Sequence, residues 1–427
     1  MNRRFLASIV IFDLAVLVGA VAIGSLIALE DPLPWQSTLK QGPVGLTLAV
    51  LAGGAMLSEY IGIKVVTMTV ARPSYARASL VVLGTYMLLA VFITLTRPWY
   101  SLGFLAATGT IWLVVMLLHR FVLRLSPWTE SIVLVTTNRS VVDEINTSPH
   151  ASILQVIDPR NGDVPEPLGD GSVLVVDFGE AFSDKVGQFI SSSLLTGTPV
   201  RGLASVYEQH TGKLPLAHLV EGWEIPQLVR RNRAYGPFKR LIDLLVVLIV
   251  SPVALVAGVV AVVAVKFSSP GPVIYKQPRV GRGGRPFTLY KLRTMFLNSE
   301  TDGPRFASLD DPRITPLGRL LRKLRLDEVP QLWNVLRGDL SLVGPRPEQE
   351  KFVAEFADEI PFYLDRHLVR PGITGWAQVN VGYAETVDQT VEKLKYDLFY
   401  IKHMSVWMDL RILLRSVATV LTGSGSR

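Results

Sequence analysis

One apolar stretch, residues Leu241–Val265, determines the topology of this 427-residue chain. It reads LIDLLVVLIVSPVALVAGVVAVVAV, with Arg240 before it and Lys266 after it. A straight helix of this length would span a bilayer and put its ends on opposite sides. Ser251 and Pro252 favour a break instead, because proline removes a helix hydrogen bond and a serine hydroxyl can satisfy the freed carbonyl. With cations at both ends, the stretch is predicted to enter and leave by one face of the membrane.

Four further apolar stretches precede it, each about long enough to cross a bilayer. They are Phe5–Leu29, Val44–Ile63, Ser79–Leu95 and Leu102–Leu118. Cationic residues cluster before the first, between the second and third, and after the fourth: Arg3, Arg4, Lys64, Arg72, Arg77, Arg120 and Arg124. The other two loops hold only Lys40 and Arg97. By the positive-inside rule, residues 1–125 form a four-helix transmembrane domain with both ends in the cytoplasm.

Two carboxylates, Asp13 and Glu59, lie within these stretches. Intramembrane carboxylates often mark function, but they also form interhelical hydrogen bonds, and both interpretations stay open for Asp13. Glu59 lies near a cytoplasmic end, where it could reach the interface or pair with Lys64.

Composition narrows the classes of function. Hydrophobic residues make up 49% of the chain and the mean hydropathy is +0.35, which is too apolar for an ordinary soluble enzyme. The absence of cysteine excludes disulfides, thiolate metal sites and a cysteine nucleophile. The net charge of +7 fits contact with anionic lipid or phosphates. Because the basic residues flank apolar segments, nucleic acid is not predicted as a partner.

Residues 131–227 have a different character. Short β-type runs at Ser131–Thr136, Ile153–Ile157 and Ser172–Asp177 alternate with polar stretches, which predicts a small Rossmann-like domain with a parallel sheet. A nucleotide site there would need a glycine-rich turn after the first strand. The sequence has Thr136-Thr-Asn-Arg-Ser140 instead. We therefore expect a structural or regulatory role.

The adjacent carboxylates Asp327 and Glu328 carry the chemistry. They lie in LRLDEVPQL, behind a helix predicted to begin at Thr315 and Pro316, and behind four cations, Arg319, Arg322, Lys323 and Arg325. A carboxylate nucleophile, a carboxylate able to hold a divalent cation and arginines for phosphate oxygens together indicate phosphoryl transfer. Alone, such a pair is also typical of a solvated helix face.

The block from Lys239 to about Gly423 resembles the bacterial sugar transferases, the monotopic polyprenyl-phosphate phosphoglycosyl transferases. The matching segments are Lys239-Arg240 with Asp243, Ser251-Pro252, Ser269–Pro272, Tyr290–Met295, Asp311–Thr315, Leu326–Leu332, Gly338–Pro347, Arg370–Val379, and Asp397 with Tyr400 through Asp409. The four spans and central domain resemble the large members that initiate exopolysaccharide or O-antigen repeat units. Residues 236–423 would then form the α-rich catalytic domain, anchored by the re-entrant hairpin.

The resemblance implies that Asp327 attacks the β-phosphate of a UDP-sugar, releases UMP and passes the sugar phosphate to undecaprenyl phosphate. It implies Mg²⁺ at Glu328 and Asp327. Substrate or phosphate contacts are implied for Lys291, Arg293, Arg322, Arg346, Arg370 and Asp397. It further implies a multi-pass protein of the bacterial inner membrane, with a cytoplasmic catalytic domain and a homodimeric state. UDP-glucose or UDP-galactose is the expected donor.

The sequence departs from the common family pattern twice. Arg325 stands where many members have serine, and Asn380-Val-Gly-Tyr replaces an Asn-Gly-Arg-Asn-type run, which leaves the sugar open. Three alternatives fit less well. A polytopic transferase needs more spans, a processive glycosyltransferase needs an Asp-x-Asp motif, and a membrane scaffold does not explain the motifs. The last helix, about Ser405–Leu421, holds three charges and is predicted to lie in the membrane interface or to pack on the domain.

Overall fold

The computed structural model divides the chain into two compact units, Met1–Thr129 and Glu130–Arg427. It describes residues 3–34, 44–66, 75–96, 101–125, 129–161, 164, 171–216, 235–297, 311–381 and 386–422.

The first unit is a bundle of four helices: α1 (Arg3–Leu29), α2 (Val44–Val66), α3 (Tyr75–Thr96) and α4 (Leu102–Leu125). Helix α1 packs on α4, and α2 packs on α3. Three of these helices, α1, α3 and α4, are long and apolar enough to cross a membrane; in α2 the apolar stretch is Gly45–Tyr60. The four predicted N-terminal helices are therefore present, and the chain is a membrane protein.

Each helix of the bundle contributes one buried charge. Arg120 of α4 binds the carboxylate of Asp13 in α1, which is the interhelical alternative for that residue. Arg77 of α3 donates from Nε to Glu59 of α2 across 3.0 Å. All four side chains are at most 3% exposed. Glu59 thus has Arg77 as a partner, whereas the side chain of Lys64 lies outside the described residues.

The second unit begins with a parallel four-stranded sheet, as predicted. Its strands are β1 (Glu130–Val135), β2 (Ala151–Ile157), β3 (Val173–Val176) and β4 (Val200–Gly202), in the order β2-β1-β3-β4. Helices α5 (Arg139–Asn146), α6 (Asp184–Leu195) and α7 (Leu203–Thr211) connect or follow them. The last strand was not predicted, because its three residues have little apolar pattern.

A single long helix, α8 (Tyr235–Ser268), is the next element in the described residues and is also apolar enough to cross a membrane. Pro252 lies inside it. Proline lacks an N–H, so the carbonyl of Leu248 loses its helical partner. The Ser251 hydroxyl donates to that carbonyl across 2.9 Å, as predicted from the sequence. Helix α8 continues through Pro252 rather than ending there, and its predicted re-entrant path stays a prediction.

The remainder of the second unit contains both strands and helices. An antiparallel hairpin joins β5 (Ile274–Val280) to β6 (Pro286–Leu292) through a tight turn at Arg282–Gly284, and β7 (Ser341–Val343) pairs in parallel with β8 (Gly372–Thr374). The helices are α9 (Pro316–Lys323), α10 (Gln331–Arg337), α11 (Glu350–Glu359), α12 (Trp376–Asn380), α13 (Val387–Lys402) and α14 (Val406–Thr422). Short 3₁₀ turns lie at Leu326–Glu328 and Tyr363–Leu368.

One hydrophobic core joins these elements to α8 and to the sheet region. Val247 of α8 and Leu214, just beyond α7, are buried in it with Val335, Leu398 and Ile412. Ion pairs reinforce the contact with the sheet region: Lys395 binds Glu144 across 3.0 Å, and Lys402 binds Glu208 across 2.7 Å. Helix α14 buries Met408 and Ile412 but exposes Trp407, Leu410, Leu414 and Val417. Its predicted place in the membrane interface stays a prediction.

Candidate active site

A short turn presents the two adjacent carboxylates. Helix α9 begins as predicted, with the Thr315 hydroxyl accepting a hydrogen bond of 2.9 Å from Gly318 N–H and with proline at its first position. It ends where Arg325 takes a left-handed conformation, with φ of 56°. A non-glycine residue rarely adopts this conformation unless the surrounding structure requires it. The chain then turns at once, and Asp327 and Glu328 are both buried, at 8% exposure.

Two arginines bind Glu328. Nη1 of Arg325 and Nη1 of Arg346 each lie 3.4 Å from Oε1 of Glu328. Burial alone would raise the pKa of Glu328, but the positive charges of Arg346, Lys291 and Arg325 outweigh burial and hold the pKa below its usual value. Glu328 is therefore ionised at neutral pH.

The pKa of Asp327 is shifted in the opposite direction, upward. Burial and repulsion by Glu328 raise the pKa of Asp327 to about 6, against the attraction of Lys291, Arg322 and Arg325. Its Oδ1 atom is buried and accepts no hydrogen bond from any residue that the structure describes. A buried carboxylate oxygen without a donor is costly. It is also less stabilised as an anion, which makes it a better nucleophile.

The hairpin supplies a lysine to the same site. Lys291 lies on β6, in register with Tyr275 on β5. Burial and the nearby Arg346 lower its pKa to about 8, although Glu328 and Asp327 partly oppose that shift. With Arg279, Gln331 and Arg346, Lys291 lines a small cavity of about 10 Å³, which is room for about one water molecule. Two carboxylates and several cations thus converge at one place.

Two arginines predicted to contact substrate, Arg322 on α9 and Arg293 directly after β6, have different partners in the structure. Arg322 donates from Nε to the Thr294 hydroxyl across 2.9 Å, and its charge acts on Asp327. Arg293 instead donates to the backbone oxygen of Ser269 across 2.6 Å, beside Gly271, so its visible contacts are with the loop after α8. Its contact with substrate stays a prediction.

Asp397 and Arg370 also lie apart from the carboxylate pair. Asp397 accepts a hydrogen bond of 2.8 Å from Arg366, and both side chains are buried. Arg366 in turn donates to the backbone oxygen of Arg346 across 3.1 Å. Asp397 is thus connected to Arg346 through Arg366, and its predicted contact with substrate stays a prediction. Arg370 lines a separate cavity near the tip of the hairpin.

Sequence reasoning missed one buried carboxylate, Glu348. Lys393 binds it across 2.8 Å, and Arg279 and Arg366 also lie within 4.0 Å of it. Burial opposes the ionised form, but these cations lower the pKa of Glu348 to about 2. Its position directly after the segment that contains Arg346 was the available signal. It neutralises the arginines that surround the site.

Asp327 and Glu328 can hold Mg²⁺ only if substrate phosphates and water supply its other ligands. No group of three or more acidic or histidine side chains converges among the residues in the described ranges. Mg²⁺ is commonly held by one or two protein carboxylates together with substrate phosphates and water. Asp327 and Glu328, adjacent and both buried, supply two such carboxylates.

Comparison with known proteins agrees with this geometry. Residues 234–423 match the bacterial sugar transferase family. A UDP-glucose:undecaprenyl-phosphate glucose-1-phosphate transferase from Caulobacter vibrioides is 43% identical over 188 residues, which cover 43% of this chain and 70% of that protein. The chain belongs to the bacterial sugar transferase family.

Two other relatives in this family differ in their named sugar. A UDP-N-acetylgalactosamine-undecaprenyl-phosphate N-acetylgalactosaminephosphotransferase from Aeromonas hydrophila is 45% identical over 240 residues, 56% of each chain. A UDP-glucose:undecaprenyl-phosphate glucose-1-phosphate transferase from Escherichia coli K12 is 41% identical over 175 residues, 40% of this chain and 37% of that one. The match thus spans about half the length of the Aeromonas relative.

Proposed function

We propose that this sugar transferase moves a sugar 1-phosphate from a UDP-sugar to undecaprenyl phosphate and releases UMP. The observation that carries the proposal is the buried, unpartnered Oδ1 of Asp327 among Lys291, Arg322 and Arg325. The names of the relatives from Caulobacter and Escherichia support the same reaction class. The proposal includes initiation of exopolysaccharide or O-antigen synthesis.

The reaction would proceed in two displacements at one phosphorus. Asp327 Oδ1 attacks the β-phosphorus, the bond to the bridging oxygen breaks, and UMP leaves with that oxygen. The product is a mixed anhydride between the Asp327 carboxyl and the sugar phosphate. A phosphate oxygen of undecaprenyl phosphate then attacks the same phosphorus and frees the carboxylate. Covalent catalysis thus splits one hard displacement into two.

The other charges have separate tasks in this scheme. Lys291 and Arg322, whose charges act on Asp327, would stabilise the negative charge on the transferred phosphoryl group. Arg346 holds Glu328 in its ionised form. Asp327 and Glu328 would hold Mg²⁺, which neutralises diphosphate charge when bound.

The proposal also places the catalytic part at the cytoplasmic face of the bacterial inner membrane. Helix α8 would form a re-entrant hairpin broken at Ser251 and Pro252, so that residues 236–423 stay on one side of the bilayer. The sheet region would lie on that side as well, and the homodimer remains a prediction from resemblance.

The donor sugar is the least defined part. UDP-glucose or UDP-galactose is expected from the sequence, whereas the Aeromonas relative is named for an N-acetylated sugar. A screen of UMP release across UDP-glucose, UDP-galactose and their N-acetylated forms, with undecaprenyl phosphate and Mg²⁺, would identify the donor.

The nucleophile can be tested directly. Asp327→Asn keeps the shape of the side chain but removes the nucleophilic oxygen anion, so UMP release should fall below detection while the melting temperature is kept. Asp358→Asn, at an exposed site on α11, is the matched control and should stay active. Mass spectrometry of protein quenched with UDP-sugar alone should find a sugar phosphate on the peptide that holds Asp327. UMP release by Asp327→Asn at the control rate would refute the proposal.

A further inference from the structure

A second cavity, of about 620 Å³, opens near the tip of the β5–β6 hairpin. Its volume lies within the range of small-molecule sites. The lining includes Arg282, Arg285 and Phe287 from the hairpin, and Arg370 from the segment before β8. None of these residues lines the small cavity beside Lys291.

The lining of this cavity is mainly cationic, with three arginines and one aspartate. Within the described ranges, Arg282, Arg285 and Arg370 form no hydrogen bond or ion pair with a carboxylate. Asp339 also lines the cavity, but it is 3.6 Å from Arg337 and accepts from Asn334 Nδ2 across 3.3 Å. Three arginines therefore face one space whose carboxylate already has other partners.

Arg370 experiences this excess of positive charge most strongly. Burial, together with the positive charges of Arg240 and Arg282, lowers its pKa, and the carboxylate of Asp243 only partly opposes that shift. Arg240 is fixed, since Nη2 donates to the Leu336 carbonyl across 2.8 Å, and the same guanidinium is near Gly338 in the cavity lining. Cations held this close together without an anion repel each other, and a bound anion would relieve the repulsion.

The hairpin connects this cavity to the carboxylate site. Phe287 and Lys291 lie four residues apart on β6, on the same face of the strand, and so are separated by ~13 Å. Phe287 lines the larger cavity, whereas Lys291 and Arg279 line the smaller one. A ligand in the larger cavity would therefore lie along the same strand as the carboxylate site and would leave the arginines at Glu328 in place.

We infer that Arg282, Arg285 and Arg370 form a second anion site, which binds a phosphate group next to the site of Asp327. Guanidinium groups pair with phosphate oxygens through two parallel hydrogen bonds, and three of them suit a ligand with more than one negative charge. The source of that phosphate rests on the proposed function: it is either the lipid phosphate of the acceptor or the diphosphate of the nucleotide donor.

Site-resolved arginine labelling tests the site without any need for turnover. The full-length protein in lipid nanodiscs is treated with phenylglyoxal, with and without inorganic diphosphate, and modified peptides are quantified by mass spectrometry. Diphosphate should slow modification of Arg282 and Arg285 by about fivefold or more, as expected for charge-assisted pairing. Arg160, exposed in the sheet region, should react at one rate throughout. Equal rates at Arg282 and Arg285 in both conditions would overturn the inference.

A charge reversal then distinguishes the two phosphate sources. Arg285→Glu places an anion in the cavity, and Lys276→Glu makes the same change at an exposed residue of β5 outside it. A tenfold higher KM for undecaprenyl phosphate than in the Lys276→Glu control would assign the site to the acceptor. The same rise in the KM for the UDP-sugar would assign it to the donor. If both constants equal those of the control, the site has no part in either substrate and the inference fails.

If neither variant nor wild type releases UMP, the proposed function fails instead, and diphosphate protection still decides whether the anion site exists.

Discussion

Nη2 of Arg366 lies 2.8 Å from the carboxylate of Asp397, and both side chains are almost completely buried, at 4% and 2% exposure. The same nitrogen donates to the backbone oxygen of Arg346, whose guanidinium binds Glu328. Asp397, on α13, is thereby connected through Arg366 and Arg346 to Glu328. Glu328 is the candidate metal ligand. We therefore expect Asp397 to help position Arg346.

Asp397→Asn should destabilise the protein and weaken catalysis together. Breaking this buried ion pair leaves Arg366 with only the more distant Glu348, 4.0 Å away, and removing one partner of a buried pair costs about 3 kcal/mol. Thermal unfolding in nanodiscs and kcat/KM for UMP release measure the two effects. The pair of exposed Arg337 with half-buried Asp339 is the control, because Arg337→Ala should cost less than about 1 kcal/mol. An Asp397→Asn enzyme with wild-type kcat/KM and stability would contradict the positioning role.

The pH dependence should follow Asp327 and Lys291. The nucleophile must be ionised, so kcat/KM should rise as the pH increases through about 6, the pKa of Asp327. If Lys291 must be protonated, kcat/KM should fall as the pH increases through about 8. The plateau would then lie between these two values, as measured by UMP release at subsaturating UDP-sugar.

The Lys291→Met variant distinguishes the titration of Asp327 from that of Lys291. Without the lysine charge, the ionised form of Asp327 is less stable, so the acidic limb should move upward by about one pH unit, and the alkaline limb should disappear. Lys276→Met removes an exposed charge from the same hairpin and should leave both limbs unchanged. An acidic limb near pH 4 in the wild type would show that Asp327 is not the titrating group.

Local patterns in the sequence predicted the elements that depend on local chemistry. The Thr315 cap, the four N-terminal helices and the parallel sheet follow from side-chain periodicity and turn residues, and the structure contains them. The Ser251 hydroxyl also satisfies Leu248 as expected, since proline chemistry is decided within one turn of helix.

Such local patterns could not predict which residues far apart in the sequence would pair. Asp397 and Arg366 are 31 residues apart, and Glu348 collects cations from β5, α13 and the turn at Tyr363–Leu368. A single sequence does not specify which buried charges meet. The motif position of Asp397 therefore suggested substrate contact, although its hydrogen bonds are to an arginine behind the site.

The charge pairs of the N-terminal bundle should stabilise the packing of its helices. Asp13→Asn leaves Arg120 buried between α1 and α4 without an anion, and removing one partner of a buried pair costs about 3–5 kcal/mol. Thermal unfolding in detergent should therefore show a clear loss of stability.

The double variant Asp13→Leu/Arg120→Leu removes both charges and should be more stable than Asp13→Asn, because apolar residues can replace a buried ion pair at little cost. The two leucine single variants complete a double-mutant cycle, which measures the coupling between the positions. Additive effects of the two leucine substitutions would mean that the pair contributes nothing to the bundle.

The path of α8 is the remaining prediction. Gly258 packs against Val329, where an added Cβ would lie 3.2 Å from a valine methyl, and Arg240 donates to the carbonyl oxygens of Val335 and Leu336. A straight helix would separate residues 240 and 258 by ~27 Å, whereas residues 329 and 335 of a helical segment are only ~9 Å apart. Even with the reach of an arginine side chain, this difference favours a bend at Pro252.

Cysteine labelling can decide between a hairpin and a span, because the natural chain has no cysteine. Gly236→Cys and Ser268→Cys lie at exposed positions near the two ends of α8, and Ser101→Cys lies just before α4, in a loop predicted to face the opposite side. In intact spheroplasts, a membrane-impermeant maleimide should label only residue 101, and permeabilisation should expose 236 and 268 together. Labelling of one end of α8 but not the other before permeabilisation would establish a straight span. Since Val247 packs on one hydrophobic cluster of the catalytic domain and Val265 on another, we expect the two positions to respond as a pair.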